Sequence, residues 1–424
     1  MAKKTLSSDQ FLKDIQGKNL NFLIGAGASA GLVDTLNLSE LGESFEDLYS
    51  DKELTAKQRA ALDLIWFKSW IQDTLITKEK INNIPTNDIE GKKVFQNYKR
   101  FISNLGDFLD REGYDKPKRA NIFTTNYDSL FELAFDEVSQ DQRMIYFNDG
   151  SRGFLNRYIS TENFNLNISH SAMSDNFQRS IPTINLLKIH GSITWDLEED
   201  KESNNKKIKA TINNEVFKEV KATADNIMNS ITLKSFPIID ALFLHKRKLT
   251  DDEKKIALQS LKDELNSLNE YSSNDTLANL DEKPSPMLQK FEKVYKKLQV
   301  VNPTKDKFRE TVFQQNYYQL LRMLSFELEK RDSVLIVFGF SFADEHILEI
   351  IRRSIINPYL KVFVICYDES SRENIKNKLG NVGPNQIDFL PYDYNYVIDG
   401  QKQSREGNFD YLNYLFSGRS NSEE

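Results

Sequence analysis

A single cysteine in 424 residues removes two architectures at once. Cys366 can form no disulfide within one chain, and no zinc site can be built from clustered thiolates. It ends the apolar run Lys361-Val362-Phe363-Val364-Ile365-Cys366, where a buried structural thiol is expected. Histidine is nearly as scarce, with four copies and no recognised metal-ligand spacing. Positive charge is not in excess either: 56 Lys and Arg against 63 Asp and Glu give −7, which argues against direct nucleic-acid binding by a general basic surface. The run His245-Lys246-Arg247-Lys248 is a local exception, readable as a phosphate contact or as a solvated surface stretch. No apolar run approaches the ~20 residues of a membrane-spanning helix. The opening residues Met1-Ala2-Lys3-Lys4-Thr5-Leu6 lack a signal-peptide apolar region, so a cytoplasmic location is expected, with no membrane partner.

What is present is the composition of a globular protein, 39% hydrophobic and 28% charged, in a chain long enough for two lobes or one domain with large insertions. Five compact apolar runs are predicted as buried strands: 19–24, 120–123, 185–189, 333–338 and 360–366, with 386–390 a weaker sixth. Near-continuous apolar strands separated by helical spacing imply a parallel sheet covered on both faces. The expected fold class is therefore α/β, a Rossmann-like parallel sheet with large helical insertions. The strands are too widely spaced for single crossover helices, so residues 38–111 and 198–331 are assigned to two helical insertions. Residues 1–37, 112–197 and 332–424 are left to the sheet. In the first insertion Phe95, Tyr98, Ile102, Leu105 and Leu109 share one helical face.

Four of the strands are followed at once by small or polar motifs: Gly25-Ala26-Gly27-Ala28-Ser29, Thr124-Thr125-Asn126-Tyr127-Asp128, His190-Gly191-Ser192 and Gly339-Phe340-Ser341. Ligands of open α/β sheets bind beyond the carboxyl ends of the strands, so these motifs are expected to converge. The glycines at 25 and 27 suit a tight turn and close approach of a diphosphate, with amides at a following helix N-terminus holding the anion. They also suit an ordinary strand-to-helix turn. The Asn126 amide offers donors and an acceptor to ribose, a carboxamide or a water. Asn126 or Asp128 could equally cap the helix running through Leu130 and Leu133, and for Asp128 the cap is preferred. The His190 imidazole at a strand end can accept a proton near neutral pH, or be a satisfied structural histidine.

The motifs G-A-G-x-S, T-x-N-x-D, H-G and G-x-S, in this order on these strands, resemble those of the sirtuin superfamily. The resemblance covers about half the chain. It implies an NAD site in which Gly25, Ala26, Gly27, Ser29, Thr125, Asp128, Gly339 and Ser341 bind the dinucleotide. Asn126 then positions the ribose or the attacking water, and His190 assists as base. Two departures bear on the activity. The four zinc-binding cysteines of protein-deacylating sirtuins are missing, so no zinc is expected. Leu32-Val33-Asp34-Thr35-Leu36 also stands where those enzymes carry an I-P-x-F-R stretch over the cofactor. The sequence looks instead like the sirtuin-like effectors of bacterial antiphage defence, which hydrolyse NAD to nicotinamide and ADP-ribose. That group implies a homo-oligomer and a sensing partner such as a HerA-like ATPase. A protein deacylase, an ADP-ribosyltransferase and a non-catalytic NAD or ADP-ribose sensor are the alternatives.

Overall fold

The computed structural model describes residues 6–34, 48–49, 51–85, 88–113, 116, 118–141, 144–171, 178–199, 206–231, 235–244, 249–271, 284–301, 311–380, 386–398 and 401–418. The basic run 245–248, Thr35 and Leu36 lie outside the described residues. The chain divides into two compact units, Met1–Leu32 with Ile76–His190 and Gln315–Glu424, and Val33–Leu75 with Gly191–Gln314.

The central sheet of the first unit has seven strands: β1 (Asn19–Ile24), β2 (Arg119–Thr124), β3 (Tyr146–Asn148), β4 (Thr183–Lys188), β5 (Ser333–Phe338), β6 (Lys361–Ile365) and β7 (Ile387–Leu390). Their spatial order is β7-β6-β5-β1-β2-β4-β3, and every pair is parallel. This is the expected Rossmann-like α/β fold. Six of the strands were predicted within two residues at either end; β3 was not, because its three residues are too few to show a pattern. From β1 the chain passes to β2 and the edge strand β3, comes back to β4 between them, then crosses to β5 on the other side of β1. A topological switch therefore lies between β1 and β5, the place where such sheets bind ligands.

Alternation along a strand separates the two faces of the sheet. On one, Phe22 meets Phe101 at 5.2 Å, Phe11 meets Phe363 at 5.2 Å, and Phe338 meets Phe409 at 5.0 Å. These rings come from the helices Ser8–Ile15, Ile89–Arg111 and Phe409–Ser417. The helical face predicted for Phe95, Tyr98, Ile102, Leu105 and Leu109 is buried there. The next residue along β1, Asn21, opens a polar row on the opposite face. Asn21, Asn121, Asn185 and Asn148 stand in register across β1, β2, β4 and β3. Each amide donates to its neighbour: Asn148 to Asn185 (2.9 Å), Asn185 to Asn121 (2.8 Å), Asn121 to Asn21 (2.9 Å), and Asn21 to the Ser333 hydroxyl on β5 (3.1 Å). A slip of one residue would break every link and turn the Asn side chains to the other face. The row therefore locks the strands whose ends carry the candidate motifs.

The second unit packs the helix Ala56–Trp66 against Asp251–Tyr271 and Pro286–Tyr295, and Glu215–Ser230 against Pro286–Tyr295. Phe67 joins Phe217 at 5.9 Å and Phe291 at 6.1 Å in its core. It also holds an antiparallel hairpin, Trp195–Glu199 with Lys206–Ala210, in a stretch read from sequence only as polar and helical.

Candidate active site

Ile24, the last residue of β1, is in register with Phe338 of β5 and Thr124 of β2, and Thr124 with Lys188 of β4. Four neighbouring strands thus end flush, and each sequence motif begins at or just after that line. The convergence expected from sequence is met in strand order: 339–341, 25–29, 124–128, 190.

The glycines answer first to one another. Gly27 donates its amide to the Gly339 carbonyl at 2.9 Å. A Cβ on Gly25 would lie 2.6 Å from the Gly339 oxygen, and one on Gly27 would lie 2.8 Å from the Gly339 Cα. Gly339 has a φ of +63°, and its own Cβ would stand 2.5 Å from the Ala28 nitrogen. Only residues without side chains allow the β1 and β5 loops to cross this closely. The helix N-terminus expected after the loop is replaced by a 3-10 turn, Ala26–Ala28. Within it the Ala28 and Ser29 amides bond to the carbonyls of Gly25 and Ala26. Ala26 and Gly27 remain exposed.

Ser29, Asn126 and Asp128 form one buried network. The Ser29 hydroxyl donates to Asp128 Oδ2 at 2.8 Å, accepts from Asn126 Nδ2 at 3.1 Å, and lies 2.7 Å from the Tyr98 hydroxyl. Because the one Ser29 proton goes to the carboxylate, Tyr98 is the donor in the last contact. The same chain orients the Asn126 amide: turned over, its oxygen would face a hydroxyl with no proton left to give. Asn126 is 6% exposed, and its Oδ1 is buried without a hydrogen-bond partner. An orphaned buried acceptor costs about 1–3 kcal/mol, which a donor from a bound molecule would recover. Asp128 Oδ1 accepts from the Leu130 amide at the start of the helix Leu130–Ser139, which is the expected cap. Burial pushes the Asp128 carboxyl up, opposed by the Lys188 charge and the Ser29 hydrogen bond. Burial and then the Asp128 charge drive the Tyr98 phenol far above its ordinary range, so Tyr98 stays a donor. Thr125, half-buried, donates its amide to the Ile24 carbonyl at 3.2 Å.

Lys188, the last residue of β4, has a side chain only 3% exposed. It pairs with Glu132 at 2.8 Å and donates to the Asp128 carbonyl. A buried lysine is tolerable only with such partners, and here it ties the 124–128 loop to the end of β4. Two residues on, His190 Nε2 lies 2.9 Å from Asp344 Oδ2. Asp344 Oδ1 meanwhile accepts from the amides of His346 and Ile347, capping the helix Glu345–Ser354. The carboxylate fixes Nε2–H as the donor in that contact, which in a neutral ring makes Nδ1 the basic nitrogen. Tyr127 and Tyr317 flank the imidazole, with ring centroids 6.4 and 6.2 Å away. Ser341 is exposed, and its carbonyl accepts from Lys378 at 3.0 Å, so it joins neither network through that group.

Asp344, Tyr98 and Lys188 were not singled out from sequence. Asp344 carried a signal, an acid directly before the apolar spacing Ile347, Leu348, Ile351, but that signal denotes a cap and is silent about a histidine 154 residues away. Tyr98 sat on a helical face read as core. Lys188 was a charge inside an apolar strand.

The family model of the SIR2-like domain matches residues 120–230, about a quarter of the chain. The matched stretch contains Asn126 and His190. No curated protein matches the chain. The match supports a sirtuin-like superfamily member with an NAD-related activity. Among the described residues no group of His, Cys, Asp or Glu is arranged to hold a metal, and no helix is long and apolar enough to cross a membrane.

Proposed function

We propose that the chain hydrolyses NAD to nicotinamide and ADP-ribose at the carboxyl edge of β5, β1, β2 and β4. The observation that carries this reading is the buried Asn126 amide, fixed by Ser29 with its Oδ1 unpartnered, in a motif one strand from the Asp344-bound His190. An acceptor held in that way suits a ribose hydroxyl, the nicotinamide carboxamide or a water.

In NAD the nicotinamide nitrogen is already cationic. The bond to the ribose C1′ breaks with both electrons going to that nitrogen, so nicotinamide leaves neutral and needs no acid. The ribose gains oxocarbenium character, water adds its oxygen to C1′, and one proton is released. His190 Nδ1 has the lone pair to take a proton from water or a ribose hydroxyl, and Asp344 stabilises the imidazolium that results. Asn126 supplies orientation, which in a preorganised site is most of what such a cleavage requires. The glycine crossing at Gly25, Gly27 and Gly339, with Ala26, Ser29, Thr125, Asp128 and Ser341, frames the dinucleotide site.

The wider biological reading rests on the sequence resemblance: an antiphage effector that depletes NAD in abortive infection, acting as a homo-oligomer with a HerA-like ATPase as partner. Residues 1–37, 112–197 and 332–424 would form the NAD-binding domain, and the insertions 38–111 and 198–331 the partner contacts. The test is nicotinamide release from NAD by the purified chain, alone and with the ATPase. Turnover that survives in both Asn126→Ala and His190→Ala would sink the proposed site. Acetylated ADP-ribose, or label transferred to protein, would replace hydrolysis by acyl or ADP-ribosyl transfer.

A further inference from the structure

The opposite edge of the same sheet, where the strands begin, holds a cavity of about 240 Å³. Ligands of open α/β sheets belong at the other end, so a polar cavity here calls for its own explanation. Asn19, Arg119 and Asn121 of β1 and β2 line it, together with Lys116, Lys118 and Lys330. Among the described residues of the lining Glu327 is the one acid, against four cations.

These cations are not equivalent. Lys330 lies 2.6 Å from Glu327, which uses up that acid. Lys118 is buried and bonds the Asp110 carbonyl at 2.6 Å, with the Asp110 carboxylate 3.5 Å away. Arg119 donates through one terminal nitrogen to the Leu166 carbonyl at 2.9 Å and to the Asn167 side chain. Its Nε is buried with no hydrogen-bond partner, and burial lowers its pKa while Glu327 opposes the shift. A guanidinium brought into a half-buried place with one N–H unanswered is a cost that packing does not explain.

We infer that this cavity is a second ligand site, for a small molecule bearing a phosphoryl group. In the described lining cations outnumber acids even with the Asp110 carboxylate beside Lys118 counted, which matches an anion, and the planar guanidinium fork matches phosphate oxygens. The volume equals about eight waters at ~30 Å³ each, more than a phosphate ion fills and enough for part of a nucleotide. Arg119 begins the strand that ends at Thr124, which separates this site from the carboxyl edge by roughly 17 Å at ~3.3 Å per residue. The inference does not depend on NAD hydrolysis.

Calorimetric titration of the full chain with inorganic phosphate, and separately with AMP, tests it. Saturable binding that the amino-edge variants weaken supports the site, and such binding of AMP alone identifies a nucleotide rather than a free phosphate. Arg119→Gln should weaken that binding at least tenfold, and so should the double variant Lys116→Glu/Lys330→Glu, while Asn126→Ala leaves it unchanged. Arg119 also anchors the chain at Leu166 and Asn167, so the double variant at two exposed lysines carries the test if Arg119→Gln does not fold. The site is wrong if neither probe binds saturably, or if binding is lost in Asn126→Ala yet untouched in the lysine variant.

Discussion

At the carboxyl edge of the sheet, buried polar groups are bonded largely to one another, and among the described residues the acceptors Asn126 Oδ1 and Glu132 Oε2 are left over. At the amino edge the surplus is positive charge around Arg119, with one donor, its Nε, left over. The strands between are the same and their faces are continuous, so the difference comes from what the loops supply. One edge offers a neutral, oriented amide and a carboxylate-held imidazole, the means of moving protons and positioning a sugar. The other offers attraction for an anion.

Six substitutions press on that contrast. His190→Ala and Asn126→Ala are expected to lower kcat for NAD cleavage about 10²–10⁴-fold, measured as nicotinamide release, with far-UV circular dichroism unchanged. Breaking the row between the edges should act on stability instead. Asn121→Leu orphans the Asn185 donor and the Asn21 acceptor, so a loss of about 2–5 kcal/mol in urea unfolding is expected, with kcat per folded molecule kept. If kcat falls as well, register and chemistry are more tightly joined than the contrast allows.

Asp344→Asn preserves the cap on the helix Glu345–Ser354, since an asparagine oxygen can still accept from His346 and Ile347. Its amide would instead face His190 Nε2 and favour the other tautomer. A fall of about 10–100-fold in kcat is expected with KM nearly constant and a displaced pH profile. A purely structural Asp344 would lower stability and leave that profile in place.

The smallest effect is in the pH dependence of stability. The folded protein holds the Asp128 proton more tightly than the unfolded chain does. Its contribution is complete below the ordinary carboxylate range and is lost as pH rises through the raised value, by at most about 1.4 kcal/mol per pH unit. Asp128→Asn should flatten that part of the curve. Arg119→Gln should not, because a guanidinium stays charged throughout, and an equal flattening would show that the two edges share one electrostatic origin.

Most of the sheet was legible because a parallel strand buried on both faces is largely apolar, and β1, β2, β4, β5 and β6 each carry a compact apolar run, broken on three of them by Asn21, Asn121 and Asn185. The short β3 and the hairpin Trp195–Glu199 with Lys206–Ala210 left no such mark. Asn126 and His190 were legible because polar side chains directly after apolar strands stand out in one dimension. The glycines were legible as a motif and only partly in their reason: they read as room for a diphosphate, and the structure shows Gly25 and Gly27 making room for Gly339.

The sequence by itself determined what is local: which segments are strands, that polar motifs follow four of them, and that no thiolate zinc site can exist on one cysteine. Only the tertiary structure decided which motifs are neighbours. Strand order brings residue 339 against residue 27, Asp344 to His190 and Tyr98 to Ser29, and lines four asparagines into one row. These pairings depend on how strands and helices pack across 69 to 312 positions of chain, and no residue carries a local mark of a partner that distant.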